Sequence, residues 1–279
     1  MKRYIVSFLL CLVSLSIGTK AFAQCTATNT AFQAGESLSY QLYFNWKFVW
    51  MKAGTATLTT KNGMWEGKSV YRSNLITQTS KKLDKFFLMR DTLESYITKE
   101  MVPLYYRKAA NEGGKYYVDQ VKYTYPGGKI HLEQEYLSRK GETSNTQHDD
   151  TECVYDMVSM MLRARSFKAD DFSVGQKLVF PMADGRKVEP TTLIYRGKKN
   201  FKMDSTGTTY RCLVFSFVEY KGKKEKEIIT FYITDDDNHM PVRLDMFLKF
   251  GVAKAYLSNA KGVKNPETSI ISKKLKPID

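Results

Sequence analysis

The sequence is poor in the residues that most often carry chemistry. Among 279 residues there are three histidines and four cysteines. No CxxC, HExxH, GxSxG or glycine-rich phosphate-loop pattern occurs. Seven prolines and 17 glycines exclude a collagen-like or low-complexity chain, and four cysteines exclude a disulfide-dense miniprotein. Long apolar runs are equally scarce. One such run, residues 4–17, sits at the N-terminus, and its isolation excludes a bundle of membrane helices. Acids are outnumbered, with 29 Asp+Glu against 43 Lys+Arg. What remains is a globular composition, 43% hydrophobic and 26% charged, long enough for one large β domain or two smaller ones.

The N-terminal run follows Lys2 and Arg3 and precedes Ala21-Phe22-Ala23, the small-x-small pattern that a signal peptidase reads. At about 14 residues it falls short of the roughly 20 that a membrane anchor needs. Cys25 follows Gln24 rather than a small residue, which argues against a lipoprotein signal. The expectation is a cleaved signal peptide, 1–23, and an exported product in the periplasm or outside the cell, without a transmembrane anchor. Its net charge falls from +14 to +11, since three basic residues and no acid leave with the signal. Export disfavours nucleic acid as a partner. A lipid or anionic envelope surface and acidic glycans remain, unless the scattered pairs such as Lys81-Lys82 and Lys223-Lys224 are simply solvated turns.

Three cysteines survive cleavage, and an oxidising compartment favours one disulfide with one thiol left over. Cys212 lies in the strand-like run 210–220, where a thiol behaves as a small hydrophobe. Cys25 at the mature terminus and Cys153 at an expected helix start are the easier pair to bridge, although spacing does not decide connectivity.

From Leu38, the residues Leu38, Tyr40, Leu42, Phe44, Trp46, Phe48 and Trp50 alternate strictly with more polar ones, the pattern of a long half-buried strand. The Thr-rich run 53–59 reads as its neighbour, with Gly54 permitting a bulge or close approach. Further strand patterns cover 70–77, 86–97, 102–108, 116–125 and 129–137. The period changes at Asp149: Asp149, Asp150 and Thr151 offer cap oxygens for a helix near 152–165 that is apolar nearly all round and so should be buried. Strand patterns resume at 177–182, 190–196, 210–220, 226–234, 240–250 and 252–258, with hairpin loops at 221–224 and 235–239. A polar tail, 261–279, follows. The fold class is therefore mainly β: a single domain, 24–260, of about a dozen antiparallel strands, as a strongly curved sheet or open barrel on one buried helix.

Several blocks together resemble the bacterial domain-of-unknown-function family numbered 3108. They are Gly35-Glu36-x-Leu38-x-Tyr40 with Trp46 and Ala53-Gly54-x-Ala56-x-Leu58, then Asp91-x-x-x-Ser95-Tyr96-Ile97. Tyr155-Asp156-x-x-Ser159 with Arg163, Thr234-Asp235-Asp236 leading to Met240-Pro241-Val242, and Gly251-Val252-Ala253-Lys254-Ala255-x-Leu257 complete the order. The resemblance spans roughly residues 33 to 258 and implies an exported all-β protein with no established activity. Its curved sheet around a helix is similar to the periplasmic lipoprotein-carrier fold, an analogy that does not fix function.

Catalysis finds no support. His148, Asp149, Asp150 and Cys153 can be drawn as a metal cluster, yet no partner spacing supports it and helix capping explains the acids. Asp235-x-Asp237-x-His239 opens like a calcium loop, but Met240 and Met246 occupy the positions of the required Gly and Glu, which favours a solvated turn. Glu133 and Glu135 share a strand face, as exposed acids commonly do. No catalytic residue, metal or cofactor is expected, and a monomer is favoured. Two readings remain. In one, an exported, non-catalytic envelope protein carries a lipid or other apolar ligand between Trp46, Phe48 and Trp50 of the first strand and Met157 and Met161 of the helix. In the other, those residues fill a packed core, and the protein is an envelope assembly or interaction factor without a small-molecule ligand.

Overall fold

The computed structural model describes residues 25–46, 49–248 and 251–272. The expected signal segment and Phe48 lie outside them. The strands are β1 (Ser37–Trp46), β2 (Val49–Trp65), β3 (Lys68–Thr79), β4 (Met89–Thr98), β5 (Pro103–Glu112), β6 (Lys115–Thr124), β7 (Ile130–Leu137) and β8 (Thr143–Asp150). They continue as β9 (Lys177–Asp184), β10 (Lys187–Lys202), β11 (Thr209–Lys221), β12 (Lys224–Thr234), β13 (Pro241–Leu248), β14 (Gly251–Lys261) and β15 (Ile270–Ser272). Two helices are described, α1 (Lys81–Asp84) and α2 (Met157–Ala164).

All fifteen strands belong to one antiparallel sheet, ordered β8-β7-β6-β5-β4-β3-β2-β1-β14-β13-β12-β11-β10-β9, with β15 on β11. The chain thus enters at the middle, runs outward by hairpins to β8, crosses to β9 and returns by hairpins to β14 beside β1. The outermost strands β8 and β9 do not pair, so the sheet is open. Its two edges are linked by other means. Gln134 Nε2 donates to the Gly185 carbonyl at 2.9 Å and Thr146 Oγ1 to that of Arg186 at 3.4 Å. Tyr155 adds a single parallel bridge to Met182.

The expected first strand is in fact two. β1 ends at Trp46, and Trp50 stands on β2 opposite Asn45. The alternation carried across a hairpin and so looked continuous. A register shift after Leu42 leaves Ala53 as an extra residue beside Gly54. A Cβ on Gly54 would lie 2.0 Å from the Gln78 carbonyl oxygen, so only glycine allows β2 and β3 to approach there.

The helix differs too. It runs only over eight residues, and its N-cap is Asp156, not Asp149 or Asp150, which end β8. β8 has no apolar residue to betray it. It exists because the β7 edge offers a ladder, and its polar side chains keep that edge from templating another chain. Asp156 accepts from the backbone N–H of Val158 and Ser159, while Ser159 Oγ accepts from the Asp156 N–H, a reciprocal capping box.

α2 buries Val158 and Leu162 against Leu93, Ile97, Val121 and Leu132 of the outward-running half. Met161 packs on a second cluster built around Leu38, Leu58, Met240 and Leu257. Met157, expected inside, is 45% exposed because the helix shows one side to water. The cystine Cys25–Cys153 joins the first described residue to the approach to α2, and Cys212 is a buried free thiol. Residues 261–272, expected to be a frayed tail, are held: Ser269 is buried and Ile270 pairs with Tyr210.

Leu162→Asp is expected to unfold the domain, since an unpaired charge is not tolerated in that apolar site. Met157→Asp should change urea-unfolding stability by no more than about 0.5 kcal/mol. Removing the cystine, which spans 128 positions, should cost about 5 kcal/mol on the chain-entropy account. Equal losses for the two aspartates would contradict this placement of the helix.

Candidate functional site

The polar residues cluster at two buried places rather than in one cleft. The first is Arg165, next after α2 and 1% exposed. Its Nη2 donates to Glu36 Oε2 at 2.9 Å, and Nη1 holds the other carboxylate oxygen. Nε and Nη2 both donate to the Asn238 carbonyl, at 3.1 and 3.0 Å, and Nη2 reaches that of Ala31. The guanidinium also lies over the Phe32 ring. A planar five-donor group is suited to such convergence, which a lysine could not match. His239 Nδ1 donates to the Arg165 carbonyl.

The loop around Asn238 extends this centre. Its Oδ1 accepts from the Asn265 N–H and its Nδ2 donates to the Asn265 carbonyl, each at 2.8 Å. Asp236 Oδ1 accepts from Thr234 Oγ1 and the Asn238 N–H, and Oδ2 from the Ser269 N–H. The loop was expected to be a solvated turn. Instead Asp236 and Asn238 are buried, because the segment after β14 folds over them.

The second place is the inner face of β4–β6. Asp156 is buried at the cap of α2, and Ser95 Oγ donates to its Oδ2 at 3.1 Å. Burial pushes its carboxyl up to about 6 despite bonds from Ser159, Ser95 and Val158. Burial raises Asp91 to about 6 as well, aided by Glu112 and opposed by Lys108. Asp119 rises to about 6 through burial and the neighbouring charge of Asp184, opposed by the Gly185 N–H. One oxygen of Asp91 and one of Asp119 are buried without a hydrogen-bond partner. These groups can hold or release a proton near neutrality; among the described residues Ser95 is bonded to Asp156, while the three histidines pair elsewhere. Among the described residues no group of three metal-ligating side chains forms.

The histidines are engaged elsewhere. His131 Nδ1 pairs with Asp149 at 2.7 Å and His148 Nε2 with Asp150 at 3.2 Å, both on the β7–β8 edge. Cys212 is buried, which pushes its thiol up to about 12, so it is no nucleophile at neutral pH.

Of the residues expected to line a lipid slot, the side chains of Trp50, Met157 and Met161 are described, and these three have different surroundings. Trp50 is 43% exposed with Lys254 Nζ 4.4 Å from its ring centroid. Met157 faces outward and Met161 packs in the second core. Trp46 ends β1, and its side chain, like Phe48, lies outside what is described. A concave groove of about 430 Å³ lies instead on β5–β8, with Tyr105, Gln120, Lys122, Glu133, Glu135 and Asn145 in its walls. Its polar groups bond one another: Tyr105 Oη donates to Gln120 Oε1, and Gln120 Nε2 to Glu135 Oε1. Trp65 stacks on Tyr105 at its rim.

No sequence period announces Arg165–Glu36, because 129 positions separate the partners. Arg165→Ala is expected to cost about 3–5 kcal/mol, since it strands a buried carboxylate, and joint replacement by Arg165→Met and Glu36→Leu should cost less. The raised acids have a pH signature. Asp91 and Asp119 hold their protons more tightly folded than unfolded, so their stabilisation is complete below about pH 4 and lost as pH rises through about 6. Asp91→Asn should therefore gain stability relative to wild type between pH 4 and 7. A pH-independent offset would contradict the buried assignment.

Comparison with solved structures finds a beta-barrel-like protein of domain of unknown function DUF1849 from Brucella abortus, at 10% identity and a TM-score of 0.51. The match covers 86% of this chain and all of that one, and at such identity it speaks for the fold alone. No curated protein matches. No described helix is long and apolar enough to cross a membrane. The family described as Protein of unknown function (DUF3108) matches residues 39–258, and the chain accordingly belongs to the DUF3108 family.

Proposed function

We propose that this is an exported, non-catalytic cell-envelope protein with a filled interior, which binds its partners on its outer surface. The observation that carries the reading is the state of the interior. Phe32, Ile97, Met101, Leu132 and Leu162 are fully buried against one another and their neighbours where a carried acyl chain would have to lie. The central Arg165 spends its donors on Glu36, Ala31 and Asn238, leaving no call on a ligand headgroup.

Export is supported by the Cys25–Cys153 cystine, of a kind that persists in oxidising compartments, and by the signal-like N-terminus. The non-catalytic part of the reading rests on the sequence, which carries no catalytic motif, and on the burial of the Cys212 thiol. The analogy to lipoprotein carriers rests on one large antiparallel sheet and does not reach a ligand site.

Protein purified natively from the envelope fraction should yield no stoichiometric lipid on organic extraction and mass spectrometry. Its N-terminus should be Gln24. Val121→Phe should overpack a solid core at a cost of about 1–3 kcal/mol. One lipid per chain, displaced by Val121→Phe with stability unchanged, would establish the carrier reading instead.

A further inference from the structure

Among the described residues fifteen large apolar side chains are exposed, and nine of them lie at one end of the sheet, where odd-numbered strands finish and even-numbered strands begin. The opposite end holds the Arg165 centre and the loop around Asn238. The concentration is greatest at three adjoining connections. On the β1–β2 and β13–β14 hairpins, Val49 is 60%, Trp50 43% and Leu248 46% exposed. After α1, Phe86 is 85% exposed, with Phe87 beside it. Clustered aromatic and aliphatic exposure of this kind marks an interaction surface.

These side chains are not on loose loops. The Ser80 N–H donates to the Ala53 carbonyl at 2.8 Å, and the Gly113 N–H to that of Leu88 at 2.7 Å, so the β3–β4 connection is tied to the strands on both sides. Asp84 is ion-paired to Arg90. A Cβ on Gly251 would lie 2.7 Å from the Asn45 carbonyl oxygen, which shows how tightly the two hairpins are pressed together. The apolar side chains point outward from a rigid support.

Charge distinguishes the partner. Positions 37 to 65 and 246 to 266 contain no Asp or Glu. Lys52 and Lys254 flank Trp50, Lys81, Lys82 and Lys85 flank Phe86, and Lys221, Lys223 and Lys224 form the neighbouring β11–β12 turn. A protein partner with an apolar patch would not call for a border in which lysines outnumber acids, with Asp84 and Glu112 already paired to Arg90 and Arg139. The interface of an anionic bilayer does, since its headgroups take the ammonium groups while aromatic rings settle at the acyl boundary.

We propose that this end of the sheet docks peripherally on an anionic lipid bilayer, inserting Trp50, Phe86, Phe87 and Leu248 at the headgroup level while the surrounding lysines contact lipid phosphates. The proposal rests on the surface-binding reading above and names its partner. In sedimentation with vesicles, the intact mature protein should bind phosphatidylcholine mixed with phosphatidylglycerol and not phosphatidylcholine alone, and salt should weaken the binding. Trp50→Ala with Phe86→Ser, and separately Lys52→Glu with Lys254→Glu, should each weaken binding by about tenfold or more. Phe86→Ser alone guards against misfolding, because that side chain is almost wholly exposed, and circular dichroism should confirm all variants as folded. No binding to anionic vesicles, binding insensitive to the apolar substitutions, or self-association abolished by them would overturn the proposal, the last by assigning the surface to a second copy. The two readings fail separately: a lipid extracted from the interior sinks the filled core, whereas failure to bind vesicles sinks only the docking surface.

Discussion

A charge cannot be left alone in a protein interior, and Arg165 is a charge at the centre of this one. Everything that neutralises it comes from elsewhere in the chain: Glu36 just before β1, the carbonyl of Ala31, and the carbonyl of Asn238 between β12 and β13. The pairing therefore fixes the position of three segments at once. An open sheet of fifteen strands has no closure to hold its shape, and this centre, with the cystine and the contacts around Gly185, takes the place of closure. Hydrophobic burial supplies most of the stabilisation on either side. The ion pair sets which arrangement is reached, because leaving either partner unmatched costs more than any local repacking returns.

The buried acids have a different character. Asp91 and Asp119 sit buried on strand faces, the first near Glu112 and the second near Asp184, and each leaves an oxygen unpartnered. Such groups are tolerated because protonation removes the charge, and burial makes that protonation easier. They make the stability of the domain sensitive to pH. The outer surface, by contrast, divides into a polar groove with hydrogen-bonded walls and a lysine-bordered end whose apolar side chains are exposed among the described residues.

Much of this was legible from the residues. Alternation located nearly every strand in which apolar and polar residues take turns, and the cystine joins the pair judged easier to bridge, although spacing left the connectivity open. Alternation failed where a hairpin continued it, at Trp46 to Trp50, and where a strand had no apolar residue, at β8. The Glu36, Ser95, Asp156, Ser159 and Asp236 blocks signalled family membership, yet their meaning emerged only in three dimensions as buried hydrogen-bonding positions. Arg165 closes the helix pattern read over 152–165, where a cation is an ordinary residue. Its actual partner is distant in sequence, and no local pattern carries that information. The sequence could not separate a ligand slot from a filled interior, because a packed core and a lipid cavity use the same side chains. The exposed end escaped notice because each lysine and aromatic, taken alone, is an ordinary turn residue.

Native-state hydrogen exchange tests most directly whether the Arg165 centre makes the open sheet one cooperative unit. The amides of Glu36, Val158, Ser159, Asn238 and Asn265 should exchange at the rate of global unfolding in the wild type. In Arg165→Met they should become faster together, along with the inner amides of β4 and β12. If those segments already exchange independently in the wild type, or if Arg165→Met accelerates only the amides next to it, the centre does not organise the fold.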